Sequence, residues 1–238
     1  MQIAVVIPAY NEEQSILKVV EDVRLAAAKY NLNLTPIVVN DCSKDATGDI
    51  ISSTNNVVAI HLPVNLGIGG AVQTGMKYAF ENNFDYAIQM DGDGQHPALE
   101  IIKLIECAKN EQADVVIGSR FILGEGFQST LLRRIGIAFF SKLINFLTGC
   151  KIADTTSGYR LYNRKALALI NDYYPDEYPE PEAIIYFSIS NLKIVETPVK
   201  MLERQGGISS IGFYASIYYM FKVSLALIFT YIRLKNKK

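Results

Sequence analysis

The sequence predicts an α/β protein: a mostly parallel central sheet flanked by helices, closed by an amphipathic C-terminal helix. Short Val/Ile-rich runs alternate with longer stretches of helical period as far as Arg120. Strands that alternate with helices imply parallel strands covered on both faces. A long apolar segment interrupted by Lys222 ends the chain.

Taken in order, IAVVI (3–7) is the first strand and residues 13–29 the first helix; PIVV (36–39) and residues 44–53 repeat the unit. VVAIHL (57–62) precedes a helix over 69–82, YAIQM (86–90) precedes one from about 97 to 109, and DVVIGS (114–119) is the fifth strand. After Arg120 the rhythm stops. The Gly-punctuated ILGEGFQST leads into LLRRIGIAFFSKLINFLTG, an apolar helix carrying Arg133, Arg134 and Lys142. DTTSGYRLY, the Pro/Glu-rich YPDEYPEPE, two further strands around Lys193 to Leu202 and RQGGISS follow. Residues 1–212 are assigned to one folded domain and 213–238 to the C-terminal helix and its basic tail; the 238-residue length suits a single large core.

Lys plus Arg number 23 against 24 Asp plus Glu. With no basic surplus to hold a polyanion, nucleic acid is excluded as a partner. Cys42, Cys107 and Cys150 are far apart and include no CxxC pair, which argues against zinc and for a reducing compartment. MQIAVVIPAYNEE has too short an apolar run, and no basic lead, to be a signal peptide.

In parallel sheets ligands sit at the carboxyl ends of the strands. Four polar loops gather there: Pro8-Ala9-Tyr10-Asn11-Glu12, Asn40-Asp41-Cys42-Ser43, Asn65-Leu-Gly-Ile-Gly69-Gly70 and Asp91-Gly92-Asp93-Gly94-Gln95. Asp91 and Asp93, two apart, point to one side if the chain stays extended. Crowded carboxylates repel unless a cation lies between them. Mg²⁺ or Mn²⁺ fits, because each keeps positions for water and substrate phosphates. An EF-hand fails on position: counting from Asp91, His96 stands where Gly is needed and Ile102 where Glu is needed. A P-loop fails at Met76, and GIGGAV is not GxGxxG. His96 is read as structural, beside a helix start. Several positions keep two readings: Glu12 as ligand or helix-start charge, Pro8 as ligand or strand end, Arg133 and Arg134 as phosphate contacts or a solvated face, Asp154 as catalytic group or turn cap.

PAYNEE, VNDCSKD, NLGIGGA and MDGDGQHP, in this order and spacing, resemble the family 2 glycosyltransferases of GT-A (Rossmann-like) fold, which move a sugar from a nucleotide-sugar donor. GSRF, DTTSGYR, EPE and RQGGISS are similar to the branch of dolichyl-phosphate mannosyltransferase and bacterial polyprenyl-phosphate sugar transferases. The resemblance implies that Pro8, Ala9, Tyr10, Glu12, Asp41, Asn65, Gly69, Asp91 and Gln95 hold the donor. It implies that Asp91, Asp93 and Gln95 hold the metal, and that Arg120, Arg133, Arg160 and Arg204 serve phosphate groups. VVNDCS departs from the VDDGS of many relatives, putting Asn40 in place of an acid.

The expected partners are a UDP- or GDP-linked sugar and a polyprenyl phosphate. A phosphate monoester is already an anion and needs arginines more than a base, whereas a sugar hydroxyl needs a base within reach. Asp93, Asp154, Arg120 and Glu182 are the expected catalytic groups, with Asp154 or Glu182 as base in the hydroxyl case; Glu180 is a further acid nearby.

FYASIYYMFKVSLALIFTYI (213–232) is about the twenty residues a bilayer span needs, yet Lys222 stands in its middle. On a helix Ser216, Tyr219, Lys222, Ala226, Thr230, Arg233 and Lys237 form one stripe, opposite Tyr214, Ile217, Phe221, Leu225, Ile228 and Ile232. The pattern predicts a helix lying in the interface at the cytoplasmic face of a membrane, with RLKNKK on anionic headgroups. A core helix, a contact with a small membrane protein and a contact with a second copy of the chain are the other readings.

Overall fold

The computed structural model describes residues 1–124, 126, 131–203 and 213–236; the side chains of 131–133 and 213–219 lie outside the description. Seven strands form one sheet: β1 Gln2–Ala9, β2 Asn33–Asn40, β3 Val58–His61, β4 Tyr86–Gln89, β5 Val115–Ser119, β6 Arg160–Asn163 and β7 Ile194–Pro198. Their order is β3-β2-β1-β4-β6-β5-β7. All neighbours pair parallel except β6, which runs antiparallel to both β4 and β5. The α/β, mostly parallel expectation holds.

The helices are α1 Ile16–Tyr30, α2 Thr47–Ser53, α3 Gly67–Glu81, α4 Ile101–Glu111, α5 Leu131–Thr148, α6 Arg164–Asp172, α7 Pro179–Ile189 and α8 Phe213–Lys235. Alternation along β1 builds two cores. Ala4 and Val6 face a layer with α3, α5, α6, α7 and α8. Ile3, Val5 and Ile7 face the other, with α1 and α4. Local chemistry sets the boundaries. α1 stops at Asn31, whose φ of 50° is left-handed and whose N–H reaches the Ala27 and Ala28 carbonyls. α6 starts on the Asn163 side chain, which accepts from Lys165 and Ala166 N–H. Pro179 fits the first turn of α7, where its missing N–H costs nothing.

Three elements differ from expectation. RLYN, overlapping the end of DTTSGYRLY, is β6, α6 and α7 fill the following segment, and only one strand, β7, forms in 193–202. Met201 adds an isolated bridge to Gly126. Four residues such as RLYN carry too short a period to be told from a loop.

α8 packs on α7 and α5. Val223 and Leu227 are fully buried, each burial stabilising by about 1.5–3 kcal/mol. No helix among the described residues is long and apolar enough to cross a membrane. The face α8 turns outward is apolar: Phe221 is 64% exposed and Phe229 65%, with Leu225, Ile228 and Ile232 beside them. Ile135, Phe139 and Phe146 line the outer side of α5, Phe146 at 83% exposure. Three described side chains of the polar stripe instead meet protein. Thr230 is buried and donates to Glu182 at 2.8 Å, Lys222 pairs with Glu177 at 3.1 Å, and Arg233 donates to the Tyr173 hydroxyl at 2.8 Å.

Candidate functional site

Strand register assembles the four loops. Asp41 N–H donates to the Ala9 carbonyl at 2.9 Å, Leu62 N–H to Asn40 at 2.9 Å, and Met90 N–H to Val6 at 3.0 Å. The residues after β1, β2, β3 and β4 therefore share one edge. Pro8 and Ala9 are the buried end of β1, while Tyr10 is exposed. Glu12 N–H donates to Thr47 Oγ1, and its carboxylate accepts from Ser15 Oγ at 2.8 Å.

Asp41 is buried, and its two oxygens accept from Leu66 N–H at 2.6 Å and Gly67 N–H at 2.9 Å. It thus caps α3 from across the sheet, satisfying N–H groups that a helix start leaves unpaired. Asn65 closes the arrangement: its amide donates to the Asp41 carbonyl and its oxygen accepts from Gly67 N–H. Asn40 accepts from Ser43 N–H at 3.0 Å, and its amide lies 3.2 Å from His61 Nδ1, so the residue standing in place of an acid shapes the loop. Gly69 permits a close approach: a Cβ there would stand 2.6 Å from the Pro175 carbonyl oxygen and 2.7 Å from that of Asp176.

After β4 the backbone turns at Gly92 and Asp93 rather than staying extended. Asp93 Oδ1 accepts from Gln95 N–H at 3.0 Å, and the Gln95 carbonyl accepts from Leu202 N–H at 3.0 Å. His96 is buried, stacked on Tyr159 with ring centroids 4.8 Å apart, and its Nδ1 accepts from Asp91 N–H at 3.0 Å. That bond puts the ring proton on Nε2, which lies 3.7 Å from Asp91 Oδ2. Burial lowers the His96 pKa to about 4, against the opposing pull of Asp93, so the ring is neutral at pH 7. His96 therefore stands in the loop as an uncharged acceptor for the Asp91 N–H, stacked on Tyr159.

Among the described residues no three His, Cys, Asp or Glu side chains converge as a metal cage. Asp91 and Asp93, with no third His, Cys or carboxylate converging among the described residues, fit a hard cation that completes its shell from water and substrate oxygens, not a closed structural site. Gly158 makes the room: a Cβ there would stand 3.3 and 3.6 Å from the two Asp91 oxygens and 3.2 Å from Gln89 Nε2.

Arg120 and Asp154 meet each other. Arg120 Nε and Nη2 donate to the two Asp154 oxygens at 2.8 and 2.7 Å, and its backbone N–H adds a third bond at 3.1 Å. Asp154 is fully buried, its own N–H and that of Ala153 held by Glu196 at 2.7 Å each. Asn145 and Ser141 of α5 fix the preceding residue, Ile152. Arg160 is also fully buried, and its guanidinium donates to the carbonyls of Ser157, Glu180 and Thr155 at 2.7, 2.8 and 3.1 Å. It ties the DTTSG loop to α7. Glu182 is bound to Thr230 of α8. Arg204 lies outside the described residues, as does the side chain of Arg133.

Glu180 and Gln89 are the residues of this region that the candidate set omits. Burial raises the Glu180 pKa, Arg160 opposes the rise and Asp91 adds to it, which places the carboxyl in the field of the metal-type loop. Gln89 Oε1 accepts from Tyr162 OH at 3.2 Å and Tyr174 OH at 3.5 Å. Helix geometry was the available signal for Glu180 against Glu182, since residues two apart on a helix do not share a face.

Residues 4–170 match the family model described as Glycosyl transferase family 2. The chain is 32% identical over 219 residues to UDP-N-acetylglucosamine–dolichyl-phosphate N-acetylglucosaminyltransferase of Methanococcus voltae, covering 84% of this chain and 85% of that protein. It is 29% identical to polyprenol monophosphomannose synthase of Mycolicibacterium smegmatis (92% of this chain, 84% of that protein). It is also 29% identical to undecaprenyl-phosphate mannosyltransferase of Micrococcus luteus (89% and 88%). The crystal structure of glucosyl-3-phosphoglycerate synthase from Mycobacterium tuberculosis with Mn²⁺, UDP and phosphoglyceric acid superposes with a TM-score of 0.70, at 18% identity, over 98% of this chain and 78% of that one. That likeness establishes the GT-A fold.

Proposed function

The chain belongs to glycosyl transferase family 2 and is a nucleotide-sugar-dependent glycosyltransferase, and we propose that it moves the sugar, with a divalent cation and inversion at the anomeric carbon, onto a polyprenyl phosphate at the cytoplasmic face of a membrane. The observation that carries this is the arrangement of α8: Lys222, Thr230 and Arg233 of its polar stripe are spent on protein while Phe221, Phe229 and Ile232 face outward. Together with the outer face of α5 this is an apolar surface rimmed by Arg134, Lys142 and Lys235, suited to anionic headgroups and to an acceptor whose tail stays in lipid. The names of the relatives support the same acceptor class.

Asp91 and Asp93 are the residues assigned to hold Mg²⁺ or Mn²⁺, with Gln95 next to them. The cation supplies charge neutralisation at the departing nucleoside diphosphate. The loops after β1, β2 and β3 seat the nucleotide, with Asp41 keeping the start of α3 in place. Both carboxylates nominated as bases are occupied, Asp154 by Arg120 and Glu182 by Thr230, which favours an acceptor that arrives ionised. Arg133 and Arg204 are assigned to its phosphate; Arg120 acts in this reading by holding the Asp154 loop, and Arg160 by holding α7.

Incubation with Mn²⁺, a panel of UDP- and GDP-sugars and undecaprenyl phosphate should yield a lipid-linked monosaccharide by mass spectrometry. No product with any donor refutes the acceptor. Glu180 favours a second reading, extension of a glycan at a hydroxyl, because burial raises its pKa toward the range a general base needs. Elongation of oligosaccharide acceptors would select that reading.

A further inference from the structure

We propose that Lys222, Thr230 and Arg233 are positioning residues for sugar transfer, coupling contact of α8 with a lipid surface to the donor site through residues 173–182. The proposal rests on the donor-site and membrane readings above.

All three side chains reach that one segment. Lys222 pairs with Glu177 and lies over the Tyr178 ring at 5.8 Å, Thr230 donates to Glu182, and Arg233 donates to Tyr173 and lies 5.2 Å from its ring centroid. They span about 16 Å of helix at 1.5 Å per residue. The other side of the segment meets both halves of the donor site. Pro175 and Asp176 close on Gly69 in the first turn of α3, whose start Asp41 holds. The Glu180 carbonyl is held by Arg160 and its carboxyl lies in the field of Asp91.

Ordinary helix packing is already supplied by Val223 and Leu227. The three polar contacts are different in kind, because they are directional and form only in one placement of α8. On the opposite face Phe221, Phe229 and Ile232 are exposed. Their burial in lipid outweighs the exposed contacts of Lys222 and Arg233 and works against the one buried bond at Thr230, so a bilayer can reset where α8 stands and carry 173–182 with it. Coupling of this sort is reciprocal: nucleotide must raise affinity for lipid by the factor by which lipid raises affinity for nucleotide.

The test titrates UDP and GDP with Mn²⁺ into the full chain, with and without phosphatidylglycerol/phosphatidylethanolamine vesicles, and follows vesicle co-sedimentation with and without nucleotide. The expected result is a fall in nucleotide Kd of about fivefold or more on vesicles, and a matching rise in co-sedimentation. Lys222→Ala with Thr230→Val should still sediment with vesicles but lose the nucleotide effect, whereas Lys222→Arg should keep it. Arg233→Ala, an exposed change with little bearing on folding, should halve the effect or more. Equal nucleotide affinity in both media overturns the proposal, as does an undiminished effect in the double variant. Binding of neither nucleotide in either medium removes the donor-site reading and this proposal with it. Failure to make a lipid-linked sugar leaves the titration readable, so the two can fail separately.

Discussion

Asp91 and Asp93 in DGD, and Glu180 and Glu182 in EPE, are separated by the same two positions, but the first pair lies in a turn at a strand end and the second in the opening turn of α7. In the turn both carboxylates reach the neighbourhood of one buried imidazole, His96. On the helix, two residues subtend about 200°, so Glu180 faces Asp91 and Arg160 while Glu182 faces Thr230 on the outer helix. An acid-x-acid motif is therefore a site only when the backbone beneath it makes it one.

The sharpest way to break this comparison is to neutralise each acid in turn. Asp93→Asn and Asp91→Asn should each lower kcat/KM by about 10²- to 10³-fold, with thermal midpoints little changed, because the proposed role of both is to hold one cation. Glu180→Gln should cost about 10- to 100-fold, the worth of a hydrogen bond to a charged group. Glu182→Ala should instead appear in thermal melts, at about 1–2 kcal/mol for the unsatisfied Thr230 hydroxyl. Equal activity losses at Glu180 and Glu182 would erase the distinction.

A smaller effect probes the room left for the turn. In Gly158→Ala the new methyl presses on Asp91, and the Mn²⁺ concentration for half-maximal activity should rise about fivefold, given an overpacking cost near 1 kcal/mol; an unchanged requirement would dissociate Gly158 from the metal.

The smallest effect concerns an acid far from either pair. Burial works to raise the Asp114 pKa, but bonds from Lys193 N–H and the Asn163 amide outweigh it and hold the group below its usual 3.8. The ionised form thus stabilises the fold above pH 3.8, and this contribution is lost as pH falls through the lower folded value. Asp114→Asn should cost about 1 kcal/mol at pH 7, with the gap to the parent protein closing in acid; a gap independent of pH would contradict the assignment.

The first half of the chain was legible because its information is local: β-branched runs, helical periods and polar loops repeat at short range, and β1 to β5 fall where the pattern puts them. The rest depends on distant partners. Nothing in DTTSGYRLY says that RLYN pairs with β4 and β5, or that Arg160 is fully buried against carbonyls, since arginine is almost always exposed. A helical projection of α8 separates two stripes but cannot say which residues dock, and here Val223 and Leu227 pack beside the polar Thr230. Asp154 resisted for the same reason, because its partner Arg120 stands 34 residues earlier.

The antiparallel β6 also sets the order in which the protein can be built. Between β4 and β5 lies a gap that only residues 160–163 fill, and the other neighbour of β5 is the still later β7. On an emerging chain β1 to β4 can close as a unit, while Val115–Ser119 waits without a strand to pair with. The four strand-end loops are thus ready early, and the fifth strand stays an open edge until the ribosome has delivered its neighbour. Chains halted before residue 160 should protect the amides of β1, β2 and β4 from hydrogen exchange and leave those of β5 unprotected.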